Sequence, residues 1–220
     1  MTEKIQKLDV EIKDLSLSKY CRNPIYDGIV NVEAFLKSKL KILLILKEVN
    51  SEDDEGGWDM RDAIKDLKTE YGLKKGWDKT FTSIVYISEG ILNKKKWAEI
   101  PDICDNPDTI DVLNNIAYIN LKKVTGGSRA KVIELDEAYK IFKELLITQI
   151  NLIDADIIIF GGTYLYFKND FVNNNFKQFG SCNVFKIENK IYIDAYHPQY
   201  IGITRKKYFN DIIEAVNSLK

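Results

Sequence analysis

Histidine is almost missing from this chain, with one imidazole, His197, in 220 residues. A metal centre built from several histidines is therefore excluded, and a serine triad has no obvious partners for its base. Cysteine is scarce as well. Cys21, Cys104 and Cys182 are odd in number, stand far apart and form no C-x-x-C pair. That spacing argues against a zinc knuckle or a four-cysteine iron–sulfur cluster, and free thiols in a reducing cytoplasm are expected. Neither sign of charge dominates, since 32 Lys+Arg face 33 Asp+Glu. With no global basic field, any polyanion must be met by a local patch. No apolar run approaches the roughly 20 residues of a membrane span. The charged opening "MTEKIQKLDVEIKDLSLSKY" does not read as a signal peptide. P-loop, G-x-G-x-x-G and G-x-S-x-G patterns are all lacking, as are repeats, linkers and low-complexity segments.

What remains is 45% apolar and 30% charged, enough to bury a substantial core. Ile5, Leu8, Ile12 and Leu15 recur at helical spacing, and a short helix follows near 31–38. "KILLILKEV" (41–49), "AYINLKK" (117–123) and "ADIIIFGG" (155–162) read as buried parallel strands. Helices are predicted over about 59–71, 79–92 and 136–153, with another opening near Pro107, capped by Asn106. "NVFKIENKIYIDAYHP" suggests a hairpin turning at Asn189-Lys190, and a closing helix starts at Arg205. Strands alternating with helices predict an α/β fold of three layers, α/β/α, around a central, mainly parallel four-stranded sheet. One domain over 1–220 is expected, with 1–40 as a helical extension packed on it.

Ligands of open α/β sheets bind beyond the carboxyl ends of the strands. Glu48-Val49-Asn50-Ser51, then Asn120 with Lys122 and Lys123, then Gly161-Gly162-Thr163, then His197-Pro198 occupy those ends. Amides and one imidazole suit directional hydrogen bonds to a heterocycle better than ligation of a hydrolytic metal. Asparagine is depleted in strands, so a functional amide is favoured for Asn120.

In order and spacing, "KEVNS", "YINLKK", "DIIIFGGTY" and "AYHPQY" resemble the motifs of the uracil-DNA glycosylase superfamily, over about residues 41–218. The resemblance implies a glycosylase fold and a monofunctional DNA glycosylase needing neither metal nor cofactor. Such an enzyme hydrolyses the N-glycosidic bond of a flipped, damaged or modified pyrimidine, in base-excision repair or in defence against modified phage DNA. It implies that Asn50 positions the attacking water, Asn120 reads the base edge, and His197 bonds the base oxygen as charge develops. Glu48 and Ser51 stand where the family commonly has glycine and proline. A shifted alignment places Glu48 on a family glutamate, and Asp53 or Asp54 could substitute as base. Trp58 is a candidate to stack on the base, although Trp58, Trp77 and Trp97 each suit the role of packing anchor better. Lys122, Gly126, Gly127, Ser128 and Arg129 form one expected DNA-binding loop. Pro198, Gln199, Tyr200, Arg205 and Lys206 form another, with Tyr200 and Ile201 as wedges. Glu52 replaces the tyrosine that excludes thymine in uracil-selective relatives, and Gly56-Gly57 would leave space, so C5-substituted pyrimidines are expected substrates. DNA is the expected partner of a cytoplasmic monomer. The alternatives are an inactive DNA- or nucleobase-binding relative and an unrelated α/β enzyme handling nucleotides.

Overall fold

The computed structural model describes residues 1–51, 55–127, 129–172 and 175–219. Glu52, Asp53, Asp54 and Ser128, to which the sequence suggested roles, lie outside the described residues. In chain order the elements are α1 (Thr2–Tyr20), β1 (Gly28–Ile29), α2 (Val32–Lys37), β2 (Ile42–Leu46), α3 (Met60–Lys65), β3 (Lys68–Thr69) and β4 (Gly72–Leu73). Then come α4 (Asp78–Leu92), β5 (Ile116–Asn120), α5 (Val132–Ile153), β6 (Ile157–Gly161) and α6 (Tyr164–Phe167). The chain closes with β7 (Lys177–Phe179), β8 (Cys182–Ile187), β9 (Lys190–Ala195) and α7 (Arg205–Asn217).

Seven strands form the main sheet, in the order β1-β5-β2-β6-β9-β8-β7. The middle four, β5, β2, β6 and β9, run parallel. Antiparallel strands extend both sides, β1 beside β5, and β8 with β7 beside β9. The expected parallel core is present, but four strands is too few. The strands that periodicity missed are two or three residues long, shorter than any pattern of period two can reveal.

Each central strand is buried on both faces, which is why β2 reads as the unbroken apolar run Ile-Leu-Leu-Ile-Leu. Ile42, Leu44 and Leu46 pack with Ile84, Val85 and Ile212 on the α4/α7 side. Leu43 and Ile45 pack with Phe142, Leu146 and Phe160 on the α5 side. The result is three layers, α/β/α.

Several local expectations shift. The helix predicted over 59–71 ends at Lys65, and a small hairpin follows. Thr69 Oγ1 accepts from the Tyr71 N–H (3.2 Å) and donates to the Gly72 carbonyl (2.9 Å), while Gly72 sits at φ 115°, outside the helical region. Asn106 makes no side-chain cap, and Pro107–Asn115 winds as a 3-10 helix. The β8–β9 turn is Glu188-Asn189, because Ile187 pairs with Lys190; Glu188 takes the positive φ (53°) that glycine usually supplies. The first 40 residues are not only a helical extension. α1 packs against α5, but Gly28 and Ile29 enter the sheet. Among the described residues no helix is long and apolar enough to cross a membrane.

Candidate functional site

Parallel register brings the carboxyl ends of the four central strands together, with Leu46 beside Asn120 and Gly161 beside Ala195. The segments leaving these ends enclose a cleft of about 660 Å³, lined by Lys47, Glu48, Asn50, Trp58, Tyr118 and His197 among others. A second hollow of about 650 Å³ lies between α1 and the end of α5, lined by residues such as Lys4, Leu8, Thr148 and Leu152. It holds no comparable gathering of imidazole, amide and aromatic groups, so the strand-end cleft is the candidate site.

His197 is held from several directions. Its carbonyl accepts from the Tyr200 N–H (2.8 Å), closing a turn with Pro198 in second place, where its fixed φ fits. From α4, Ser83 Oγ donates to the Pro198 carbonyl (3.3 Å), and Thr80 Oγ1 accepts from Gln199 Nε2 (2.7 Å). From α7, the Tyr208 hydroxyl donates to the Tyr196 carbonyl (2.7 Å). Gly161 matters here because a Cβ would stand 3.2 Å from Pro198 Cδ and collide with Leu46.

Nδ1 of His197 accepts from the Gln199 backbone N–H at 3.2 Å. In a neutral ring the proton must then sit on Nε2. Burial, and secondarily the positive charge of Lys47, pushes the imidazole down to about 4, so the ring is neutral at pH 7. A neutral, oriented N–H donor at the cleft is the outcome.

Asn120 is wholly buried. Its backbone N–H donates to Asp27 Oδ2 (2.7 Å), and its Oδ1 accepts from the Tyr118 hydroxyl (3.3 Å). Nδ2 is buried with no hydrogen-bond partner. Tyr118 and Asn120 share the α4 side of β5 by strand alternation. Tyr118 lines the cleft directly, whereas Asn120 lies behind it.

Glu48 and Lys122 form a buried ion pair, Oε2 to Nζ 2.8 Å, with side chains 4% and 7% exposed. Lys122 also meets Glu134 at 2.9 Å. Burial opposes the charge on Lys122, but the two carboxylates outweigh it and hold the ammonium above its ordinary value. Lys123 is buried beside Asp27 (2.6 Å) and Gln149 (2.8 Å). Both lysines that follow β5 are thus internal, and Lys122 as a DNA contact is corrected. Gly126 is corrected too. Its N–H donates to the Val49 carbonyl (2.9 Å), its own carbonyl accepts from Ser51 (3.2 Å), and a Cβ would strike the Glu48 carboxylate. The glycine serves that close approach and presents no free N–H.

Asn50 is exposed on the cleft rim, with its backbone bridged to Gly126. Trp58 is half-buried in the wall, and its carbonyl accepts from Tyr26 (3.0 Å). Pro198 is buried, so it shapes the turn and does not offer DNA a surface. Gly127, Arg129, Gln199, Tyr200, Arg205 and Lys206 are all exposed. Tyr200 stacks on Tyr196 (centroids 4.3 Å apart), and Ile201 at the loop tip is 98% exposed. Gly56 and Gly57 open no space in the cleft, because they pack against Asn23.

Sequence reasoning missed Lys47 and the aromatic wall of Trp77, Phe81 and Tyr118. Phe81 stacks with Tyr118 (5.6 Å) and tilts against Trp77 (5.5 Å). Alternation from Asn120 could have revealed Tyr118, but Phe81 and Trp77 come from α4 and its approach, with no local signal. Among the described residues, no three His, Cys, Asp or Glu side chains gather to hold a metal ion. No protein-family model matches the chain, and no curated protein matches it in sequence.

Proposed function

We propose that this cleft hydrolyses the N-glycosidic bond of a pyrimidine flipped out of DNA, in a divergent member of the uracil-DNA glycosylase superfamily. One observation carries the reading: the sole imidazole is neutral, with Nδ1 occupied by backbone and Nε2–H left for a cleft walled by aromatic rings. A flipped base must be desolvated, held by its faces and read at its edge. Phe81, Tyr118 and Trp58 supply apolar walls. Asn120, wholly buried behind Tyr118, accepts from that hydroxyl (3.3 Å) and so sets the wall against which the base would lie, in place of reading the base edge directly.

In this mechanism the C1′–N bond breaks with its electron pair passing to the base. Charge grows on the base oxygen, where the Nε2–H strengthens its hydrogen bond selectively in the transition state. Water oriented by Asn50 at the rim adds to C1′ and loses its proton to solvent. Glu48, locked to Lys122, fixes the loop carrying Asn50. The DNA face consists of Arg129 and Gly127 on one rim and Gln199, Tyr200, Arg205 and Lys206 on the other. Ile201 is placed to fill the gap left by the flipped base.

A second reading, an enzyme acting on free nucleotides, draws support from the internal use of Lys122 and Lys123, which leaves fewer cations for a duplex. Salt dependence separates the two. Duplex affinity should fall steeply with salt, and Arg205→Ala should flatten the slope by about one unit. Duplexes carrying uracil, thymine or C5-substituted pyrimidines should then develop alkali-labile breaks in at least one case. Duplex binding without any break would favour an inactive binder, and absence of salt-dependent binding would favour the nucleotide enzyme.

A further inference from the structure

Lys47 immediately follows β2, and His197 follows β9 by two residues, on strands flanking β6 from opposite sides. Between them β6 ends at Gly161, with Gly162 directly after it. Gly162 takes the positive φ (73°) that favours glycine, and a Cβ there would make ordinary contacts, 3.4 Å from Lys47 Cε, 3.5 Å from the His197 backbone nitrogen and 3.7 Å from His197 Cβ. The Lys47 side chain and the His197 backbone therefore both lie beside the end of the middle strand. Both line the cleft. Lys122, Lys123 and Arg61 are engaged with carboxylates, whereas Lys47 has no ion-pair partner among the described residues.

We propose that Lys47 is a catalytic residue, the charged half of a two-donor anion site whose neutral half is His197, and that the preferred ligand is a base leaving as a full anion. This rests on the reading of the cleft as a base-release site. A cation and a neutral N–H lining one cleft oppose a second cation but favour an anion, and the partial exclusion of water strengthens that attraction. The reaction balances without a proton donor in the cleft. The glycosidic electron pair goes to the base, water supplies oxygen to C1′, its proton leaves to solvent, and solvent protonates the base after departure. Burial first, and the Lys47 charge second, keep the imidazole neutral.

Trp58 and Trp77 line the same cleft, so tryptophan quenching can report binding without any turnover. The probes are 5-nitrouracil, an acidic pyrimidine largely ionised in mildly alkaline buffer, and uracil, which is neutral there. The intact protein should bind the anion at least tenfold more tightly than uracil. Lys47→Met should abolish that preference and Lys47→Arg should keep it, with circular dichroism unchanged in both. Equal preference in the intact protein and Lys47→Met would overturn the role of Lys47 and leave the base-binding reading standing. Failure of the intact protein to bind either pyrimidine would overturn both.

Discussion

Replacing His197 with alanine should slow base release by about two to three orders of magnitude, the range for losing one oxyanion donor. DNA affinity should barely change, because the ring lies inside the cleft while Tyr200, Ile201, Arg205 and Lys206 form the outer surface. Loss of the ring also frees the Gln199 N–H, but that residue is exposed and water can take the place of Nδ1. The turn itself keeps its bonds to Thr80, Ser83 and Tyr208, so the fold should survive. Single-turnover kinetics on a saturated duplex isolates the chemical step. A decrease smaller than tenfold would remove His197 from the mechanism, and a parallel loss of binding would make it a structural residue.

Lys122→Ala should cost about 3–5 kcal/mol of folding stability, the usual penalty for stranding one partner of a buried ion pair. Glu48 would remain with its carboxylate against Gly126 and with no other cation bound to it among the described residues. Glu134 is more exposed and still keeps Lys131 (2.9 Å). Pairing the change with Glu48→Gln should recover much of the loss, since the uncompensated charge is then gone. Urea denaturation of the two variants measures this. Unchanged stability together with a flatter salt dependence of DNA binding would instead return Lys122 to the phosphate-contacting surface.

That second result bears on what a sequence can disclose. The parallel core was legible because strands buried on both faces read as apolar runs, as in Ile42–Leu46 and Ile157–Gly161. His197 stood out through scarcity and through the proline behind it. Lys122 misled because a lysine after a strand has the same letter whether it faces solvent or Glu48. Its partner lies 74 residues earlier in the chain, and no periodicity encodes such a pairing. Gly126 misled for a related reason. Its role is to admit the Glu48 carboxylate, a contact set by tertiary structure alone. Lys47 escaped notice because its significance depends on Gly162 and His197, which only the strand order brings alongside. The short antiparallel strands were unreadable because pairing partners, not their own residues, make them strands.

Everything proposed for the cleft depends on where one proton sits. The unfolded imidazole titrates near 6.5, while the folded ring resists protonation until about pH 4. The unfolded state thus binds more protons across that interval, and His197 makes stability fall as pH drops from about 6.5 towards 4. With a single histidine in the chain, nitrogen-15 NMR of the imidazole needs no assignment. The spectrum should show a neutral ring at pH 7 with its proton on Nε2, persisting until the pH approaches 4. An imidazolium at pH 7, or a neutral ring protonated on Nδ1, would contradict the proposed donor.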